Sequence, residues 1–88
     1  EILLFKMRGC AHCRLALKLQ EALLEQHPEW RDIPLRIIDE REEPALAEQY
    51  DYYYVPCYFV DGVKVHEGHA EQADIERVFA LAAAPADT

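Results

Sequence analysis

Positive charge is scarce in this 88-residue chain: nine Lys and Arg stand against seventeen Asp and Glu, for a formal net charge of −8. That balance sets aside nucleic acid and anionic membrane as partners, because both are bound through a basic surface. Long apolar runs are absent. No stretch approaches the ~18 residues that would span a bilayer, and Ile2–Phe5 is too short for the core of a secretory signal. Cysteine is few and odd in number; three residues do not make the disulfide framework of a small secreted domain, so the expected location is cytoplasmic. Repeats, low-complexity tracts and linkers are absent too, which leaves one domain over residues 1–88.

What is present suits a folded protein. A hydrophobic fraction of 51% with 30% charged residues supplies enough apolar surface to offset the entropy of ordering the backbone. Residues 83–88, small and containing Pro85, have little to bury and read as a frayed tail. The charge is unevenly spread: Lys6, Arg8, Arg14 and Lys18 face Glu1 alone within residues 1–18, a local +3 that leaves −11 for the remainder.

The order of elements follows from hydrophobic periodicity. Ile2-Leu3-Leu4-Phe5 is continuously apolar and short, as a strand buried on both faces is. Cys10 then opens a helix in which Ala16, Leu19, Ala22 and Leu23 recur at helical spacing with Leu15 beside them, ending near Pro28. Trp30 to Pro34 read as a loop and Leu35–Asp39 as a second interior strand, so the two strands are parallel across a helical crossover. Glu43 to Tyr50 is a short helix started by Pro44. Asp61-Gly62 between Tyr58–Val60 and Val63–Val65 marks a hairpin, and a last helix from about Glu71 to Ala82 places Ile75, Val78, Phe79 and Ala82 on one face. The fold class is α/β in the order βαβαββα, a four-stranded mixed sheet flanked by three helices, with the first and last helix on one face.

Cys10-Ala11-His12-Cys13 lies between the first strand and the first turn of a helix. A sulfur at a helix N-terminus meets unsatisfied backbone amides and the positive end of the macrodipole, which favours its thiolate. Cys10 is therefore the expected nucleophile. Cys13, one turn later, is placed to attack a mixed disulfide on Cys10 and release the product thiol. Lys6, Arg8 and Arg14 are expected to add to thiolate stabilisation. A bare C-x-x-C also serves as half of a zinc site, but no second C-x-x-C or C-x-x-H is present, and Cys57, His66 and His69 are the scattered candidates that remain.

Leu4 through Cys13, Ile38-Asp39, Val55-Pro56 and Asp61-Gly62 together resemble the glutaredoxins and smaller thioredoxin-like proteins, along nearly the whole chain. The resemblance implies the thioredoxin-like fold, redox use of Cys10 and Cys13, a cis proline at Pro56, and pairing of the Val55 backbone with an extended substrate. Arg8, Ala11, His12, Tyr54, Val55 and Pro56 are then the substrate-binding residues. Partners would be a disulfide-containing protein or glutathione, with glutathione as a co-substrate, a reductase to restore the dithiol, and no bound cofactor or metal. The chain departs from the pattern at three places. Ala11-His12 stands where glutaredoxins commonly carry Pro-Tyr and thioredoxins Gly-Pro, His12 matching the histidine of strongly oxidising thiol oxidases. Gly68-His69-Ala70-Glu71 stands where glutaredoxins carry Gly-Gly and an Asp. Leu4 stands where thioredoxins bury an Asp. A histidine that favours the Cys10 thiolate would move the potential from the ~ −270 mV of thioredoxin toward the glutaredoxin range of about −200 to −230 mV.

Two other functions fit the same residues: a metal or iron–sulfur module held by Cys10 and Cys13, with or without Cys57, and a thioredoxin-like interaction domain with incidental thiols. For Cys57 alone, a small apolar core residue is the plainer reading. Tyr50, Tyr52, Tyr53 and Tyr54 either cover the end of the sheet or border a substrate groove, and Trp30 is expected to pack.

Overall fold

Ile2–Lys6 forms the first strand, β1, and its four apolar residues are buried on both faces as their unbroken run requires. In the computed structural model, which describes residues 1–84, the chain continues through α1 (Ala11–Gln26), β2 (Leu35–Asp39), α2 (Pro44–Ala47), β3 (Cys57–Val60), β4 (Val63–Glu67) and α3 (Gln72–Ala83). This is the predicted order. The sheet runs β2-β1-β3-β4, with β1 parallel to β2 and antiparallel to β3, and β3 antiparallel to β4.

The period of two along β1 divides the core. Ile2 and Leu4 join Tyr58 and Val60 beneath α1 and α3, where Ala16, Leu23, Ile75, Val78 and Phe79 are buried. Leu3 and Phe5 face the other way, with Ile38, Cys57 and Phe59, toward α2. Each large side chain so buried contributes about 1.5–3 kcal/mol relative to exposure. At the hairpin, Asp61 (φ 48°) and Gly62 (φ 84°) both take left-handed backbone, the conformation a tight primed turn demands.

Several expectations are corrected. β2 is an edge strand, paired to β1 alone, and Arg36 and Ile37 are exposed on it. The apolar run read as interior reflects its inner end, Ile38-Asp39, which is buried. Trp30 lies in a 3-10 turn over Pro28–Asp32 rather than a loop, its ring stacked on His27 and Phe79 at 4.1 and 5.8 Å between centroids. In α1 the buried stripe is Cys13, Ala16, Gln20, Leu23 and Leu24, so Leu15 and Ala22 face solvent. The stripe differs from the apolar periodicity because it contains a polar residue: Tyr58 donates its hydroxyl to Gln20 Oε1 at 2.9 Å inside the core. α2 is one turn long and hands over to Tyr50 and Tyr52, which pack on Phe5 at 5.1 and 4.8 Å. α3 extends to Ala83 with Ala84 as its C-cap, into the stretch read as a frayed tail; 85–88 lie outside the described residues.

Candidate active site

The site is built where β1 ends. Gly9 takes φ 81°, a left-handed conformation that a side chain would strain, and this turn lets the Cys10 amide donate to the Met7 carbonyl at 3.2 Å. Cys10 then caps α1 in extended backbone (φ −93°, ψ 113°). Its carbonyl accepts the first helical bond from the Arg14 amide at 3.0 Å, and its Sγ accepts the Cys13 N–H at 3.2 Å. The sulfur thus takes the place an N-cap oxygen ordinarily fills, against the positive end of the helix.

The two thiols of the motif occupy different environments. Cys10 is half-buried, whereas Cys13 is 2% exposed. Burial pushes the Cys13 thiol up to about 12, and the hydrogen bond and charge of Cys10 add to the rise. Cys10, Cys13 and Cys57 are all free thiols.

Opposite Cys10 stands Val55, whose carbonyl accepts from the Cys10 thiol at 4.0 Å. The Val55–Pro56 peptide bond is cis, as the resemblance implied. The loop that carries it is clamped by Glu67. That carboxylate accepts the backbone N–H of Tyr54 at 2.9 Å and that of Tyr53, while Lys64 Nζ approaches to 2.8 Å. Lys64, then the two amides, pull the Glu67 carboxyl down to about 2. Tyr54 and Tyr53 are held with their rings outward, 69% and 82% exposed. The tyrosine run therefore divides: Tyr50 and Tyr52 cover the sheet, and Tyr53 and Tyr54 stand free beside Val55.

Two of the three basic residues, Lys6 and Arg8, meet carboxylates, which corrects the expectation that they serve the sulfur; Arg14 lies on the exposed face of α1. Lys6 Nζ lies 3.3 Å from Asp39 Oδ2 and Arg8 lies 3.1 Å from Glu42, both at the β1–β2 end. Asp39 is held below the usual carboxylate range by the Arg41 N–H first and by Lys6 second. Ala11 is exposed in the first turn of α1.

His12 is also redirected. Among the described residues its hydrogen bond goes to His69, Nδ1 to Nδ1 at 3.0 Å, rather than to Cys10. His69 Nε2 in turn donates to Glu71, the N-cap of α3. Sequence reasoning had His69 as a scattered metal-ligand candidate and, with Glu71, as a departure from a family pattern. Nothing in the spacing of residues 57 apart signals that they meet His12.

Cys57 is 0% exposed and packs with Phe5, Ile38 and Phe59, the plainer of its two readings; burial pushes its thiol up to about 12. Among the described residues no group of three or more His, Cys, Asp or Glu is arranged to hold a metal ion, and no helix is long and apolar enough to cross a membrane. A surface concavity of about 450 Å³ lies beside α2, lined by residues that include Glu40, Arg41, Glu48, Tyr50 and Tyr53. It contains neither motif cysteine, so the accessible sulfur at the start of α1 marks the site better than the concavity does.

No protein-family profile and no curated protein sequence matches the chain. Among solved structures the chain is similar to one described as "Structure of a malarial protein", at 14% identity and a TM-score of 0.69, over 94% of this chain and 96% of that one. At that identity the likeness speaks for the fold alone, and with the sheet order and helices above it the architecture is thioredoxin-like.

Proposed function

We propose that the chain is a dithiol thiol–disulfide oxidoreductase, the observation that carries the reading being a capping Cys10 sulfur on the helix amides with a buried Cys13 one turn below. The Cys10 thiolate attacks one sulfur of a substrate disulfide, forming a mixed disulfide and expelling the other half as a thiolate that takes up a proton. Cys13 then attacks the Cys10 sulfur, closing the internal disulfide and releasing the second substrate thiol. While Cys10 is reduced, burial first and then the hydrogen bond and charge of Cys10 raise the Cys13 thiol; in the mixed disulfide the Cys10 charge is gone and the Cys13 proton is easier to lose.

The substrate class is a protein disulfide or that of glutathione, and a reductase or glutathione restores the dithiol. A reducing compartment such as the cytoplasm supplies both. Val55, beside Cys10 and flanked by Tyr54, offers its backbone to an extended substrate segment, and Ala11 and His12, exposed in the first turn of α1, are the further substrate-binding residues of this reading.

The test is reduction of a peptide disulfide with a fluorescence readout, using dithiothreitol as donor. Cys13→Ser should accumulate a mixed disulfide on Cys10 that intact-mass measurement detects, and Cys10→Ser should lose exchange altogether. Equal residual activity in the two variants would contradict the assigned roles.

A further inference from the structure

Each half of a thiol–disulfide exchange moves a proton: the attacking thiol loses one and the expelled thiolate gains one. His12 lies two residues after Cys10 in the first turn of α1, with a ring that can carry such a proton. Which nitrogen is available depends on what holds the other.

The hydrogen bonds answer this. An ionised carboxylate only accepts, so His69 donates to Glu71 through Nε2–H. A neutral His69 then has a bare Nδ1. The His12 Nδ1 that lies 3.0 Å away must be the donor, and His12 is left with an unprotonated Nε2. This is the reverse of the form that a histidine with a free ring usually takes. The rings meet edge to face, 5.0 Å apart at 79°. His69 is held at both ends: its carbonyl accepts from His66 Nε2 at 2.8 Å, and the backbone N–H of Glu71 donates to Asp74 at 2.8 Å. Asp74 Oδ1 also lies 3.9 Å from His66 Nδ1. The pair can accept one proton and keep its hydrogen bond, with the imidazolium shared between His12 and the Glu71–His69 side. A second proton sets N–H against N–H and breaks it.

We infer that His69 and Glu71 are positioning residues for the redox turn, fixing His12 as the Nδ1–H tautomer so that its Nε2 takes the proton of the Cys10 thiol as the attacking thiolate forms and returns it to the expelled substrate thiolate. The step balances: Cys10–SH and R–S–S–R′ give Cys10–S–S–R and R′–SH, the S–S bond of the substrate breaking as the new one forms. The role rests on the oxidoreductase reading; the tautomer does not.

Long-range ¹H–¹⁵N correlation spectra of the reduced protein, taken where the His12 ring is neutral by its own nitrogen shifts, read the tautomer directly. His12 should show a protonated Nδ1 and a bare Nε2. In His69→Phe the ring should revert mainly to Nε2–H, and kcat for reduction of the peptide disulfide should fall about tenfold, a part of the 10²–10⁴ that positioned proton transfer contributes, at unchanged KM. His69→Asn, whose amide oxygen can accept where Nδ1 did, should restore both. An Nε2–H tautomer in the unmodified protein, or an unchanged kcat in His69→Phe, overturns the inference. An unmodified protein that reduces no disulfide overturns the oxidoreductase reading and the proton-transfer role with it, while the ring spectrum still decides the pairing.

Discussion

Folded, reduced protein treated with iodoacetamide at pH 7 should be alkylated at Cys10, with Cys13 and Cys57 spared. Burial raises both of those thiols from an ordinary 9.0 to about 12. At pH 7 that lowers the thiolate fraction from ~10⁻² to ~10⁻⁵, and because the thiolate is the nucleophile the folded rate falls ~10³-fold on this ground alone. Access works in the same direction, since Cys13 and Cys57 are 2% and 0% exposed and the reagent must wait for the structure to open. Peptide mass spectrometry over a time course gives the three rates separately, and the same reaction in guanidinium supplies the unfolded reference in which all three should label comparably. A Cys13 alkylated within tenfold of its unfolded rate would refute the burial argument. A Cys13 that reacts before Cys10 would reverse the assignment of nucleophile and resolving thiol.

Tyr58→Phe strands the buried Gln20 amide and should cost about 1–3 kcal/mol in chemical denaturation, and adding Gln20→Met should recover part of it, because removing both partners spares the desolvation of one. Phe79→Ala opens a cavity between α1, α3 and Trp30 and should cost about 3–5 kcal/mol by the same measurement. Glu67 is ionised more readily folded than unfolded, so its support for the loop is complete above the ordinary 4.5 and is lost as pH falls toward about 2. Hydrogen exchange at the Tyr53 and Tyr54 amides, corrected for intrinsic rates, should lose protection across that window, and Glu67→Ala should show low protection at every pH; a protected pair of amides in Glu67→Ala would dismiss the clamp.

Whatever depends on near neighbours in the chain was legible in the sequence. Ile2–Phe5, Asp61-Gly62 and the face of Ile75, Val78 and Phe79 each signal their element through a local pattern, and Cys10 with Cys13 are placed by the helix they begin. The errors come from what lies across the sheet. β2 carries an apolar run, yet its strand neighbour is on one side alone, a fact of sheet order that Leu35–Asp39 does not encode. Gln20 reads as surface in a helical pattern and is core because Tyr58 supplies its partner from β3.

The basic stretch around the cysteines makes the same point for electrostatics. Counted along the chain, Lys6 and Arg8 give the turn that carries Cys10 and Cys13 a local positive charge. In the fold, the parallel register sets Lys6 opposite Asp39, and the turn after β2 brings Glu42 to Arg8, so both cations are answered by the neighbouring strand and the turn that leaves it. The exposed Arg8–Glu42 pair stabilises by little, about 0–1 kcal/mol, but both pairs decide where a charge points. The helix that Cys10 begins does act on its sulfur, through the Cys13 amide at 3.2 Å and the dipole behind it, both set by the C-x-x-C placement that the sequence does encode. His12 follows the other rule. Its neighbours in sequence put it beside Cys10, and its partner, His69, comes from the opposite end of the chain at the entry to α3, so the direction in which its ring is held is a property of the fold.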